Sequence, residues 1–82
     1  MPHVEIKCFS GRSDEQKKDC ADKVAVAVAE ALGCNLSSVS VAVKDVDKED
    51  WKKEVWDKSI VPDDAFLYKK PEYTCDDNGI KK

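Results

Sequence analysis

One arginine, Arg12, and one histidine, His3, are all that these 82 residues contain of either type. With no Cys-x-x-Cys and His3 distant from any pair of cysteines, nothing in the spacing suggests a metal knuckle. No stretch approaches the length of a membrane span, the longest low-polarity run being 24–29, and no export signal precedes the first pattern. A cytoplasmic protein is therefore expected, with Cys8, Cys20, Cys34 and Cys75 as reduced thiols. Basic residues come as scattered pairs such as Lys17-Lys18 and Lys52-Lys53, mostly with acidic neighbours, and the net charge is −3. That balance argues against a nucleic-acid or lipid footprint. There are no internal repeats, and the length leaves room for one domain only.

What is present begins with alternation. Val4, Ile6 and Cys8 fall on one face and His3, Glu5, Lys7 and Phe9 on the other, a period-two strand. Ser13 then opens a helix, with Asp14 and Glu15 in the first turn and Gln16 placed to complete a capping box. The apolar stripe runs through Cys20, Ala21, Val24, Ala27, Val28, Ala31 and Leu32, and Gly33 supplies the stop. A second alternating strand follows at 39–43. Asp47 to Asp50 reads as the start of a short helix whose buried side is Trp51, Val55 and Trp56. Beyond Lys58 the pattern weakens. Residues 1–75 are expected to form the domain, 59–75 an irregular arm with a short extended piece at 66–68, and 76–82 a frayed tail.

The order strand, helix, strand, helix predicts an α/β fold, a β-α-β unit with two parallel strands joined by a right-handed crossover. Two parallel strands under one helix leave open edges and an uncovered face. A partner copy that completes a four-stranded sheet is the simplest remedy, so a homo-oligomer is expected, a dimer in preference to a hexamer.

Two residues near the amino terminus carry the chemical argument. A proline opening a strand is structurally acceptable because its missing N–H can face outward, and an arginine in a turn is commonly a solvated charge. If Met1 is removed, however, Pro2 becomes a secondary amine with its lone pair fixed by the ring. An ordinary α-amino group titrates near ~8. Desolvation and a nearby cation both disfavour the ammonium form, bringing such an amine towards the range where a general base works best. Arg12 offers a planar donor fork for a carboxylate.

The stretch PHVEIKCFSGRSDEQK, with GRSDEQK at a fixed distance from the proline, resembles the amino terminus of the 4-oxalocrotonate tautomerase family. The likeness continues through the helix, the SSVSVAV strand and the segment containing Trp51. The tail LYKKPEYTC resembles the longer bacterial branch, whose members tend to be homodimers. The resemblance implies a cofactor-free isomerase, with Pro2 as general base and then general acid on small 2-hydroxyalkenoates or aryl enolpyruvates. It further implies Arg12 as carboxylate ligand and Trp51 as an aromatic wall. Where well-studied members carry a second arginine, this chain has Ser40, which offers a hydroxyl without charge. His3 and Lys7 lie near the same end of the chain as further sources of polarity. Two other functions compete on the same scaffold: hydration or dehalogenation of an unsaturated acid, which needs more cationic charge than one arginine provides, and a non-catalytic binding protein.

Overall fold

The protein is described by a computed structural model covering residues 1–82. It forms two compact units, residues 1–45 and 46–82.

In the first unit, strand β1 (His3–Phe9) leads through a turn at Gly11 into helix α1 (Asp14–Leu32). Short-range chemistry fixes where α1 begins. The Ser13 hydroxyl accepts from the Gln16 amide at 3.1 Å, and the Ser13 amide donates to Gln16 Oε1 at 3.0 Å. This is the expected capping box, which satisfies two N–H groups that the first helical turn leaves unpaired. At the other end Gly33 adopts φ 67°, a left-handed conformation that glycine reaches without steric cost, and the chain leaves the helix. A 3₁₀ turn (Leu36–Ser38) delivers it to strand β2 (Ser40–Val46). Strands β1 and β2 are neighbours in a parallel two-stranded sheet, with α1 as the crossover.

The inward line of α1 is Lys17, Ala21, Val24, Ala25, Val28 and Ala29, at helical spacing, with only Ala29 buried. Part of the predicted stripe faces outward instead: Cys20, Ala27, Ala31 and Leu32 are exposed, Leu32 by 67%. The physical reason is the mostly small side chains of this helix, which give it two apolar sides. Lys17 is half-buried and is held by Asp45 at 3.1 Å and Asp14 at 3.4 Å.

The second unit begins with a 3₁₀ turn (Lys48–Asp50) and continues as a π-helix (Lys52–Ile60). The wider winding shows in the amide of Val61, which donates five residues back to Trp56 at 2.9 Å. It also shows in the five-residue ion pair between Lys52 and Asp57, at 2.9 Å. Another 3₁₀ turn spans Asp64–Phe66, taking in the first residue of the piece expected to be extended at 66–68, and Leu67 after it has extended backbone.

The end of the chain corrects the expectation of a frayed tail. Strands β3 (Thr74–Asp76) and β4 (Gly79–Lys81) form an antiparallel hairpin with Cys75 opposite Ile80. The Asn78 amide donates to Asp76 Oδ1 at 2.8 Å, and Gly79 takes φ 109°. Asp-Asn-Gly is thus a hairpin turn of the kind that needs positive φ. Cys75 and Val55 are the buried side chains of this unit. All four cysteines are free thiols, and no helix is long and apolar enough to cross a membrane.

Candidate active site

The site is assembled from the start of the sheet. Pro2 immediately precedes β1, and its carbonyl accepts from the Ser40 amide at 3.2 Å, so the first residue of β2 lies directly beside it. Pro2 is half-buried, whereas Met1 ahead of it is completely exposed. Next in the chain, His3 reaches the same neighbour: its Nδ1 lies 2.6 Å from Ser40 Oγ. Ser40 is therefore held twice, through its backbone by Pro2 and through its hydroxyl by His3.

Further along the same face of the sheet two lysines share one carboxylate. Lys44 Nζ donates to Glu5 at 3.1 Å, and Lys7 Nζ lies 3.5 Å from the same carboxylate. The hydrogen bond and charge of Lys44 hold the Glu5 carboxyl below its ordinary value of 4.5. Lys7, a sequence candidate for added polarity, is thus engaged by a carboxylate on its own strand.

Arg12 stands elsewhere. It follows the far end of β1, exposed, with Nη1 donating to the Phe9 carbonyl at 3.2 Å. A seven-residue strand separates the ends of β1 by about 20 Å. No rotamer of Arg12 spans that length. The structure thus brings Pro2, His3 and Ser40 together and leaves Arg12 at the opposite end of the same strand. There Arg12 lines a hollow of about 600 Å³ with Ile6, Cys8, Gln16, Cys20 and Val24.

Trp51 belongs to the second unit and has a partner that the sequence did not announce. Its indole N–H donates to the Tyr73 hydroxyl at 3.1 Å, while the Trp56 ring lies 5.5 Å from the Tyr73 ring, centroid to centroid, at 45°. In an α-helix, residues five apart point about 140° away from each other. Entry into the π-helix brings Trp51 and Trp56 to one side, where a single tyrosine meets both. A hollow of about 590 Å³ in this unit, lined by Lys48, Lys52, Lys53, Asp57 and Asp77 among others, includes none of the predicted site residues.

Sequence reasoning named His3 and Ser40 without linking them. Their bond follows from the parallel register: with the Ser40 amide on the Pro2 carbonyl, Ser40 stands opposite His3 and the two side chains are cross-strand neighbours.

Comparison with known proteins adds to this geometry. The family described as "Tautomerase enzyme" matches residues 2–55. A protein named Tautomerase PptA from Enterobacter sp. (strain 638) is 47% identical over 75 residues, covering 90% of this chain and 99% of its own. A probable tautomerase from Xylella fastidiosa (strain 9a5c) is 40% identical over 73 residues, covering 89% of each chain. Among solved structures, a chain from work on the 4-oxalocrotonate tautomerase isozymes of Methylibium petroleiphilum superposes with a TM-score of 0.58 at 40% identity. That superposition covers 61% of this chain and 81% of the other.

Proposed function

The chain belongs to the tautomerase family and is an isomerase, and from that premise we propose that Pro2, freed of Met1, is its general base and acid. The substrates are small 2-hydroxyalkenoates or aryl enolpyruvates, turned over without a cofactor. The observation that carries this reading is the position of Pro2, half-buried at the open start of the sheet beside Ser40, behind a wholly exposed Met1 that a peptidase can reach.

Removal of Met1 converts the Pro2 nitrogen from an amide, which has no basic lone pair, into a secondary amine. That amine takes the proton from the enol hydroxyl of the bound acid. The electron pair moves through the enolate, and the same proton returns to the adjacent carbon, leaving the keto form and a neutral amine. No net proton is gained or lost. Charge on the enolate oxygen is met by the Ser40 hydroxyl, a hydrogen-bond donor aimed where charge develops. The substrate carboxylate is held by a guanidinium fork.

That guanidinium comes from a second copy of the chain, because Arg12 and Pro2 of one chain stand at opposite ends of β1. Oligomerisation in this reading completes the site as well as the sheet. The exposed Val26, Leu32 and Leu36 of the first unit supply apolar surface for it. We assign the assembly as a dimer. Phenylenolpyruvate is the direct test. Pro2→Ala should lose most of its turnover while keeping the wild-type circular dichroism. Wild-type turnover in that variant would refute the mechanism.

A further inference from the structure

At the Pro2 end of the sheet the Ser40 hydroxyl has a neighbour with no role so far, His3, with Nδ1 and Oγ 2.6 Å apart. A serine hydroxyl has one hydrogen to give and two lone pairs to receive. The direction of this one bond therefore decides what Ser40 can offer a substrate. If Nδ1 accepts, the only hydroxyl hydrogen is consumed, and Ser40 turns lone pairs towards an enolate oxygen that already carries negative charge. If Nδ1 donates, the hydrogen stays free to point at that oxygen.

We infer that His3 is a positioning residue that donates from Nδ1 to Ser40 Oγ and thereby makes the Ser40 hydroxyl a hydrogen-bond donor to the substrate's enolate oxygen. This rests on the reading of Pro2 and Ser40 given above. Three features support it. The Ser40 amide is fixed to the Pro2 carbonyl, so the hydroxyl is anchored at the site by its own backbone. His3 directly follows Pro2, so the imidazole and the reactive nitrogen are carried by adjacent residues. The lysines on this face, Lys44 and Lys7, are both tied to Glu5 further along the sheet, and the printed partner of the Ser40 hydroxyl is His3. The arrangement also accounts for a site that works without a second arginine: an oriented neutral donor takes the place of a charge.

The test uses the full-length, Met1-processed protein with phenylenolpyruvate as the probe. His3→Ala should lower kcat by about three- to tenfold, the range for one neutral hydrogen bond, with KM little changed because the carboxylate is held elsewhere. His3→Asn places an amide N–H close to the position of Nδ1 and should restore most of kcat. In a Ser40→Ala background, His3→Ala should cost nothing further, since the group it positions is gone. His3 is exposed, so all of these variants should keep their fold. The inference is overturned if His3→Ala leaves kcat unchanged, if His3→Asn is no better than His3→Ala, or if the loss is as large without Ser40 as with it. Pro2→Ala, assayed alongside, separates the two levels. Wild-type turnover there would remove the proline reading and this one with it. An inactive Pro2→Ala combined with additive His3 and Ser40 effects would remove the role of His3 alone.

Discussion

If Pro2 and Arg12 act on one substrate molecule, they act from different chains, and two impaired variants should rescue each other. Pro2→Ala removes the ring amine but keeps Arg12. Arg12→Ala keeps the amine but removes the carboxylate fork, and the loss of one charge-assisted hydrogen bond costs about 1.5–3 kcal/mol, or roughly tenfold to a hundredfold in kcat/KM. About 20 Å of β1 separates the two residues within a chain, and the bond from Arg12 to the Phe9 carbonyl holds the guanidinium at the far end. When the two variants are unfolded together in equal amounts and refolded, half of all sites draw Pro2 from a competent chain. Half of those draw Arg12 from a competent neighbour, so about a quarter of the wild-type kcat/KM should return. The fraction is the same for a dimer or a hexamer, provided that chains mix at random and each site uses two of them. The assay is ketonisation of phenylenolpyruvate, with each variant refolded alone as the baseline. A mixture no more active than the mean of the two baselines would refute the two-chain site.

Other consequences are simpler to check. Arg12→Ala should raise KM for every acid tested, whereas Ser40→Arg should improve dicarboxylates selectively by adding a second cation beside Pro2, as a substrate panel would show. Gly79→Ala meets no atom within 4 Å but cannot relax at φ 109°. It should destabilise the hairpin by about 1 kcal/mol and lower Tm by several degrees in a thermal melt. Glu5, held below 4.5 by Lys44, binds its proton less readily when folded than when unfolded. Its stabilising contribution is therefore complete above 4.5 and is lost as pH falls through the lower, folded value. Glu5→Gln should remove that part of the acid-side slope in urea titrations.

How much of this was legible in the sequence depended on whether the determinant was local. The ends of α1 were readable because Ser13, Gln16 and Gly33 settle them through contacts within a few residues. The β-α-β order followed from period-two alternation on both sides of one long helix. The terminal hairpin was missed because three-residue strands give almost no alternation. Its signal lay in Asp-Asn-Gly, which was passed over as tail. Trp51 and Trp56 were both legible as the buried side of the short helix, but the π-helix that brings them together and the Tyr73 that meets both left no local signal. Pro2 and Arg12 looked like a pair because they are close in sequence, yet an intervening strand converts sequence proximity into distance. The bond from His3 to Ser40 needed the strand register, a long-range property that neither segment reveals by itself.

The central claim is that a free secondary amine at Pro2 does the chemistry, and turnover measured against the amino-terminal state of the chain tests it most directly. Protein prepared with Met1 retained, and the same protein after removal of Met1, would each be identified by intact mass and assayed on phenylenolpyruvate. Activity should rise in proportion to the fraction of chains that begin at Pro2, with the Met1-retaining form close to the uncatalysed rate. Equal turnover by both forms would contradict the account, because the Pro2 nitrogen in the longer form is an amide and cannot accept the proton.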